Sequence, residues 1–147
     1  LLLLVGLVLT GCDDDDDDDG GGDGGGATTV NVELNEFVIT ADPDSAPAGD
    51  VTFEVENIGE ETHEFVIVQT DLDADELRAA EDGSFDEEGE GVTVVDEIED
   101  IESGATADVT ANLEAGAYLL ICNLVEEEDG ETESHFAEGM HTGFTVE

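Results

Sequence analysis

Val30, Val32 and Leu34 alternate with polar residues, and Val51, Phe53 and Val55 alternate with Thr52, Glu54 and Glu56. Successive side chains of a strand point to opposite faces, so each run predicts a strand with one buried face. Ala107, Val109, Ala111 and Leu113 repeat the pattern, and Phe144 and Val146 form the inner face of a last strand. Phe65 to Val68 and Ala117 to Ile121 are apolar at both parities, as expected of central strands covered on both sides. Turn material separates these runs at Asp42-Pro43, Ala46 to Gly49, Asn57-Ile58-Gly59 and Glu114-Ala115-Gly116. One segment departs from the pattern. Asp73 and Glu76 have the spacing of a capping box, with acids in the first turn, which predicts a short helix from about Asp73 to Glu81 with Leu77 and Ala80 facing inward. Ser84 to Gly91 reads as loop. The expected fold class is all-β, an antiparallel Greek-key β-sandwich with one short helix in a loop.

Charge changes the picture of the surface. The chain holds 43 Asp and Glu against a single basic residue, Arg78, for a formal net charge of −42. With the seven-Asp run and Asp23 set aside, residues 27–147 still carry 35 acids. Nothing on such a surface could neutralise phosphates, which excludes nucleic acid as a partner. The organised apolar alternation argues for a folded domain with a carboxylate-covered surface, suited to concentrated salt, rather than for a disordered chain. About 120 residues suffice for one core, and a monomer is expected.

The N-terminus carries no strand pattern. Leu1 to Leu9 is an apolar run. It is too short to span a bilayer, which takes about 20 residues, and reads as the apolar stretch of an incomplete signal peptide. It ends in Leu9-Thr10-Gly11-Cys12, which resembles the lipobox of bacterial and archaeal lipoproteins, where the Cys becomes the lipid-bearing first residue. An ordinary cleaved signal with a chance Cys is the alternative. Asp13 to Gly26 consists entirely of Asp and Gly and can bury no core. It is expected to be a disordered tether of roughly 20 Å r.m.s. span. The organisation expected is therefore a leader over 1–12, a linker over 13–26 and a β-domain over 27–147. The expected location is outside the cytoplasm, anchored to the cell membrane by lipid on Cys12.

The candidate chemistry lies in rare residues. The chain has two Cys, three His and one Met. His63 sits in the strand-like run Thr62 to Gln69, and Cys122, His135 and Met140 follow in that order near the C-terminus. Two imidazoles, a thiolate and a weak axial thioether are the ligand set of a blue copper site. Singly, each residue has a plainer reading: Cys122 as a buried thiol, Met140 as core filler, His63 as a hydrogen-bonded strand histidine. A disulfide between Cys12 and Cys122 stays open if Cys12 bears no lipid.

Several blocks carry a resemblance to a known family: Asn57-x-Gly59 followed by Thr62-His63-Glu64-Phe65, then Gly116-x-Tyr118-x-x-x-Cys122-Asn123, then His135-x-x-x-Gly139-Met140-His141-x-Gly143-Phe144-x-Val146. The chain from about Thr28 to Glu147 resembles the cupredoxins, the small blue copper proteins, in their plastocyanin-like branch. The resemblance implies one type 1 copper held by His63, Cys122, His135 and Met140. It also implies that His135 is exposed at the surface where electrons leave. Two departures stand out. Twelve residues separate Cys122 from His135, more than is common in the family, so the ligand loop must bulge outward, with His141 as the fallback ligand. Glu64 stands where many relatives have Asn, which removes a supporting side-chain hydrogen bond near the thiolate. The implied function is one-electron transfer between membrane-associated redox proteins. The alternatives are a copper storage or delivery module and a metal-free adhesion domain. An enzyme is not expected, since three histidines cannot supply a second copper centre.

Overall fold

The computed structural model describes residues 26–147; the run expected to be a leader, Cys12 and most of the Asp/Gly segment expected to be a tether lie outside the described residues. Among the described residues, eleven strands and one short helical turn follow in chain order. A four-stranded sheet is built from β1 (Thr28–Asn35), β2 (Val38–Asp42), β4 (Gly49–Asn57) and β7 (Thr106–Leu113), in the order β2-β1-β4-β7. A five-stranded sheet is built from β3 (Ser45–Ala46), β5 (His63–Gln69), β6 (Thr93–Ile101), β8 (Gly116–Ile121) and β11 (His141–Val146), in the order β3-β11-β8-β5-β6. A separate hairpin pairs β9 (Val125–Glu128) with β10 (Glu131–Ser134).

The two sheets face each other through residues of a single parity on each strand. Val30, Val32 and Leu34 of β1 and Val51, Phe53 and Val55 of β4 meet Phe65 and Ile67 of β5, Tyr118 and Leu120 of β8, and Phe144 and Val146 of β11. Phe53 anchors this interface, its ring 5.4 Å from that of Phe65 and 5.3 Å from that of Phe144. On the other face of the five-stranded sheet, Val66, Val68, Leu119 and Ile121 are covered by Leu77, Phe85 and Phe136. This is why β5 and β8 read as continuous apolar runs: they have a cover on each side.

Two features differ from the sequence-based expectation, and a third gives it form. The sandwich is not wholly antiparallel, because β1 pairs with β4 and β3 with β11 in parallel. The helix expected from Asp73 to Glu81 is only a 3₁₀ turn, Ala74–Glu76. Glu76 does accept a hydrogen bond from the Asp73 N–H at 3.0 Å, but Leu77 is already extended, with φ −66° and ψ 138°. The chain leaves the helix there to lay Leu77 against the sheet, and Ala80 is exposed. The outward bulge expected between Cys122 and His135 takes the form of the β9–β10 hairpin. Its turn is Asp129-Gly130, both with positive φ (54° and 86°), the conformation of a two-residue hairpin turn that matches strand twist.

Candidate metal centre

Strand geometry brings four rare side chains to one end of the sandwich. His63 opens β5 at the parity of Phe65 and Ile67, so its ring points into the core. Cys122 follows β8 at the parity of Tyr118 and Leu120, again inward. The pairing of β8 with β11 runs up to Ile121 and His141, and one step beyond it the Cys122 N–H donates to the Met140 carbonyl at 3.0 Å. Directly opposed residues share a face, so Met140 enters the same core cluster as Cys122. His141 falls on the opposite face, where its ring lies 5.5 Å from that of Phe136.

The hairpin returns the chain for His135. Val125 pairs with Ser134, and the His135 N–H donates to the Leu124 carbonyl at 3.0 Å. The Met140 N–H donates to the His135 carbonyl at 2.9 Å, which closes the loop onto β11. A long insert thus leaves the spacing of its two ends unchanged, because a hairpin begins and ends at the same place.

His63, Cys122, His135 and Met140 are all 0% exposed. The Nδ1 atoms of His63 and His135 lie 3.1 Å apart, and Cys122 Sγ lies 3.4 Å from His135 Nδ1. All three donor atoms fall within 4.8 Å of one another. The Glu64 N–H donates to Cys122 Sγ at 3.3 Å. The Glu64 backbone therefore supports the sulfur, and the replacement of Asn at that side chain leaves this bond intact.

The opposite ring nitrogens are the informative atoms. His63 Nε2 lies 3.9 Å from Glu36 Oε1, and His135 Nε2 lies 3.8 Å from Glu61 Oε2 and 4.0 Å from Glu126 Oε2. Both Nε2 atoms are buried with no hydrogen-bond partner. Carboxylates beside Nε2 favour a proton there, and a neutral imidazole with Nε2–H presents a bare lone pair at Nδ1. Two such lone pairs then converge beside the Cys122 sulfur, which supplies a third donor once its thiol proton is lost. That is the donor set of a soft or borderline transition-metal ion, and the residues fit one.

Burial sets the proton affinities. It pushes the Cys122 thiol up to about 11. It lowers the His63 imidazole, helped by the neighbouring His135. It raises the Glu61 carboxyl, and it raises that of Glu64 to about 7. Glu36 is lowered, because its carboxylate accepts the backbone N–H groups of Glu60 and Glu61.

His135 corrects one expectation. The resemblance implied an exposed histidine, but His135 is 0% exposed. The acidic hairpin, Glu61 and the edge of Phe37 enclose it; the Phe37 and His135 rings meet at 88° with centroids 5.5 Å apart. Glu36, Phe37 and Glu61 were not among the candidate residues. Glu36 and Phe37 form the tight β1–β2 connection. Phe37 takes a left-handed φ of 58°, which a bulky residue adopts at a cost of about 1–2 kcal/mol, so no turn signal marks it. Asn57 was legible as a turn residue and as part of the block Asn57-x-Gly59, but not as a buried joint. It is fully buried, donates through Nδ2 to the carbonyls of Glu61 at 2.7 Å and Ile101 at 2.8 Å, and accepts the Gly59 N–H at 2.9 Å. It thereby sets the loop that carries Glu61 and leads into His63.

No family model matches the chain, and no curated protein matches it. Solved structures do. A sodium-dithionite-reduced auracyanin from the photosynthetic bacterium Roseiflexus castenholzii matches with a TM-score of 0.57 at 19% identity, over 83% of this chain and 99% of that one. Auracyanin A, described as a "blue" copper protein from the green thermophilic photosynthetic bacterium Chloroflexus aurantiacus, matches with a TM-score of 0.56 at 20% identity, over 83% and 100%. Auracyanin B matches with a TM-score of 0.56 at 22% identity, over 82% and 89%. The likeness is one of fold.

Proposed function

We propose that the chain is a type 1 copper protein that carries single electrons, with His63, Cys122, His135 and Met140 as ligands. The observation that carries this reading is the convergence of Cys122 Sγ and the two Nδ1 atoms in a fully buried pocket whose outer nitrogens face carboxylates. Buried Met140, hydrogen-bonded through its backbone to both Cys122 and His135, favours copper over zinc, because a weak thioether completes a trigonal copper site. Copper supplies the one-electron redox step. The chain's own residues hold three donors at fixed spacing, present one N–H to the sulfur and exclude water. That rigidity suits a carrier, since the two oxidation states can share one geometry. The fold of a protein described as "blue" copper supports the same reading.

Membrane-associated redox proteins are the proposed partners, with the domain outside the cytoplasm and tethered over 13–26 to a lipid on Cys12. Among the described residues no helix is long and apolar enough to cross a membrane, so attachment rests on the leader motif. One observation favours the second reading, a copper storage or delivery module: His135 is enclosed rather than open to a partner. Adding Cu(II) to the purified chain and recording a visible spectrum tests the first reading. An intense blue band that is lost in Cys122→Ser, with fast reversible reduction, supports it. A colourless protein in excess copper overturns it, and blue colour without reversible redox favours the storage module.

A further inference from the structure

The hydrogen-bond demand of His135 is incomplete at its outer nitrogen. A metal at Nδ1 fixes the tautomer with the proton on Nε2, and a buried N–H without an acceptor is strongly unfavourable. His135 Nε2 is buried and unpartnered. Four carboxylates, those of Glu36, Glu61, Glu126 and Glu133, lie about the two imidazoles, and they are not equivalent. Glu36, beside His63, is already committed to the backbone N–H groups of Glu60 and Glu61. Glu126, 4.0 Å from His135 Nε2, belongs to a more open side chain on the hairpin. Glu61 Oε2 is itself buried and has no partner, and it faces His135 Nε2 at 3.8 Å. Both atoms are buried and unpartnered, so each complements the other, and a closure of under about 1 Å makes the bond. Glu36 holds the Glu61 backbone in place for it, and Asn57 holds the Glu61 carbonyl.

We propose that Glu61 is the positioning residue of this centre: its carboxylate accepts the His135 Nε2–H, fixes the ring with Nδ1 toward Cys122 and His63, and biases the bound metal toward its more positive oxidation state. This rests on the copper reading for its redox half and on the metal-free chain for its tautomer half. The surface expected to be open at this histidine is therefore replaced by a carboxylate whose inward oxygen, Oε2, is buried while the side chain stays about one-third exposed. A negative charge that close favours Cu(II) over Cu(I), because the extra positive charge interacts with it directly.

Glu61→Gln keeps an acceptor and removes the charge. Glu61→Leu removes both. Glu131→Gln removes one charge from the far end of the hairpin and serves as the control. In the copper-loaded full chain, Glu61→Gln is expected to shift the Cu(I):Cu(II) affinity ratio about tenfold toward Cu(I), a rise of about 59 mV for a one-electron couple. Glu131→Gln is expected to shift it less than about threefold. In the metal-free chain, ¹⁵N NMR is expected to show His135 protonated at Nε2, and a mixture of tautomers in Glu61→Leu. Equal potentials in the two Gln variants, or an Nδ1–H tautomer in the unaltered chain, overturn the role of Glu61 while a blue band leaves the copper reading standing. An unaltered chain that stays colourless overturns the copper reading, and the redox half of this proposal with it.

Discussion

The amide of Glu64 points at the sulfur of Cys122, 3.3 Å away, across 58 residues of sequence. The bond exists because β5 and β8 are neighbours whose register, Val66 opposite Ile121, sets Glu64 beside the end of β8. A backbone donor strengthens when its acceptor becomes an anion, so this bond gains most when Cys122 loses its proton.

Proton release on metal binding follows. Burial holds the Cys122 thiol near 11, so it is protonated at pH 7 and must ionise to bind copper. His63, lowered by burial, is already neutral there and releases none. Between about pH 7 and 10, copper affinity is expected to rise about tenfold per pH unit through Cys122. The metal-free fold carries the opposite sign. The folded thiol is raised above its ordinary value of 9.0, so its contribution is present below pH 9 and is lost as pH rises toward 11. Proton counting in weakly buffered solution checks the first, with Cys122→Ser as the blank. Metal-free melts from pH 8 to 11 check the second.

Facing decides between the two C-terminal histidines. His135→Ala is expected to abolish the blue band. His141→Ala is expected to keep it and to cost about 1 kcal/mol in stability, through the lost contact with Phe136. Visible spectra and melts of the two variants separate these outcomes, and loss of colour in His141→Ala alone would reverse the assignment.

The hairpin is a cover whose removal leaves the ends in place. Replacing Glu126–Glu133 by Asn-Gly keeps Val125 and Ser134 at the two ends of a tight turn. The blue band is expected to survive. Reaction with a small redox reagent in molar salt is expected to accelerate, because His135 becomes accessible. Stopped-flow mixing measures this, and an unchanged rate would mean that electrons leave by another face.

Asn57 is the joint under the ligand loop. Asn57→Leu is nearly isosteric but leaves the Gly59 N–H and the Glu61 and Ile101 carbonyls without their partner. At about 1–3 kcal/mol for each buried group left unpaired, an overall loss of about 3 kcal/mol is expected, after some relief from water at the exposed Glu61 side. Denaturant unfolding of the metal-free chain reads it.

Legibility in the sequence tracked the local physics. β1, β4 and β7 were plain because one face is buried and the other wet, and β5 and β8 because both faces are covered. β6 was missed: it is an edge strand whose acids interrupt any alternation, with only Ile101 fully buried. The β9–β10 hairpin was missed because Glu is a poor strand former, although Asp129-Gly130 was a usable turn signal. The centre's rare residues were visible as residue types in order. Their enclosure was not, since it arises from Glu61 and Phe37 meeting the hairpin around His135, and the contacts of Glu61 and Phe37 with His135 are far apart in sequence.

Salt dependence is the prediction that tests the surface. Residues 27–147 carry 35 acids and Arg78 as the one base, a net charge of about −34. The ion pairs among the described residues all involve histidine, so no Lys or Arg offsets the repulsion. The sheets even oppose like charges: Glu54 faces Asp108 between β4 and β7, and Glu126 faces Glu133 in the hairpin. Directly opposed like charges in a sheet are destabilising. At 0.1 M salt the Debye length is about 10 Å, and at 1 M about 3 Å, shorter than most of these separations. If screening recovers about 2–3 kcal/mol, the unfolding midpoint of a domain this size should rise by about 10 °C between 0.1 and 2 M KCl. Copper should raise the midpoint at every salt concentration, because it binds the folded chain alone. Glu54→Gln should narrow the salt response, and Thr52→Ser on the same strand should leave it unchanged. Scanning calorimetry across the salt series measures all three, and a flat profile would show that the acidic surface is not self-repelling in the folded state.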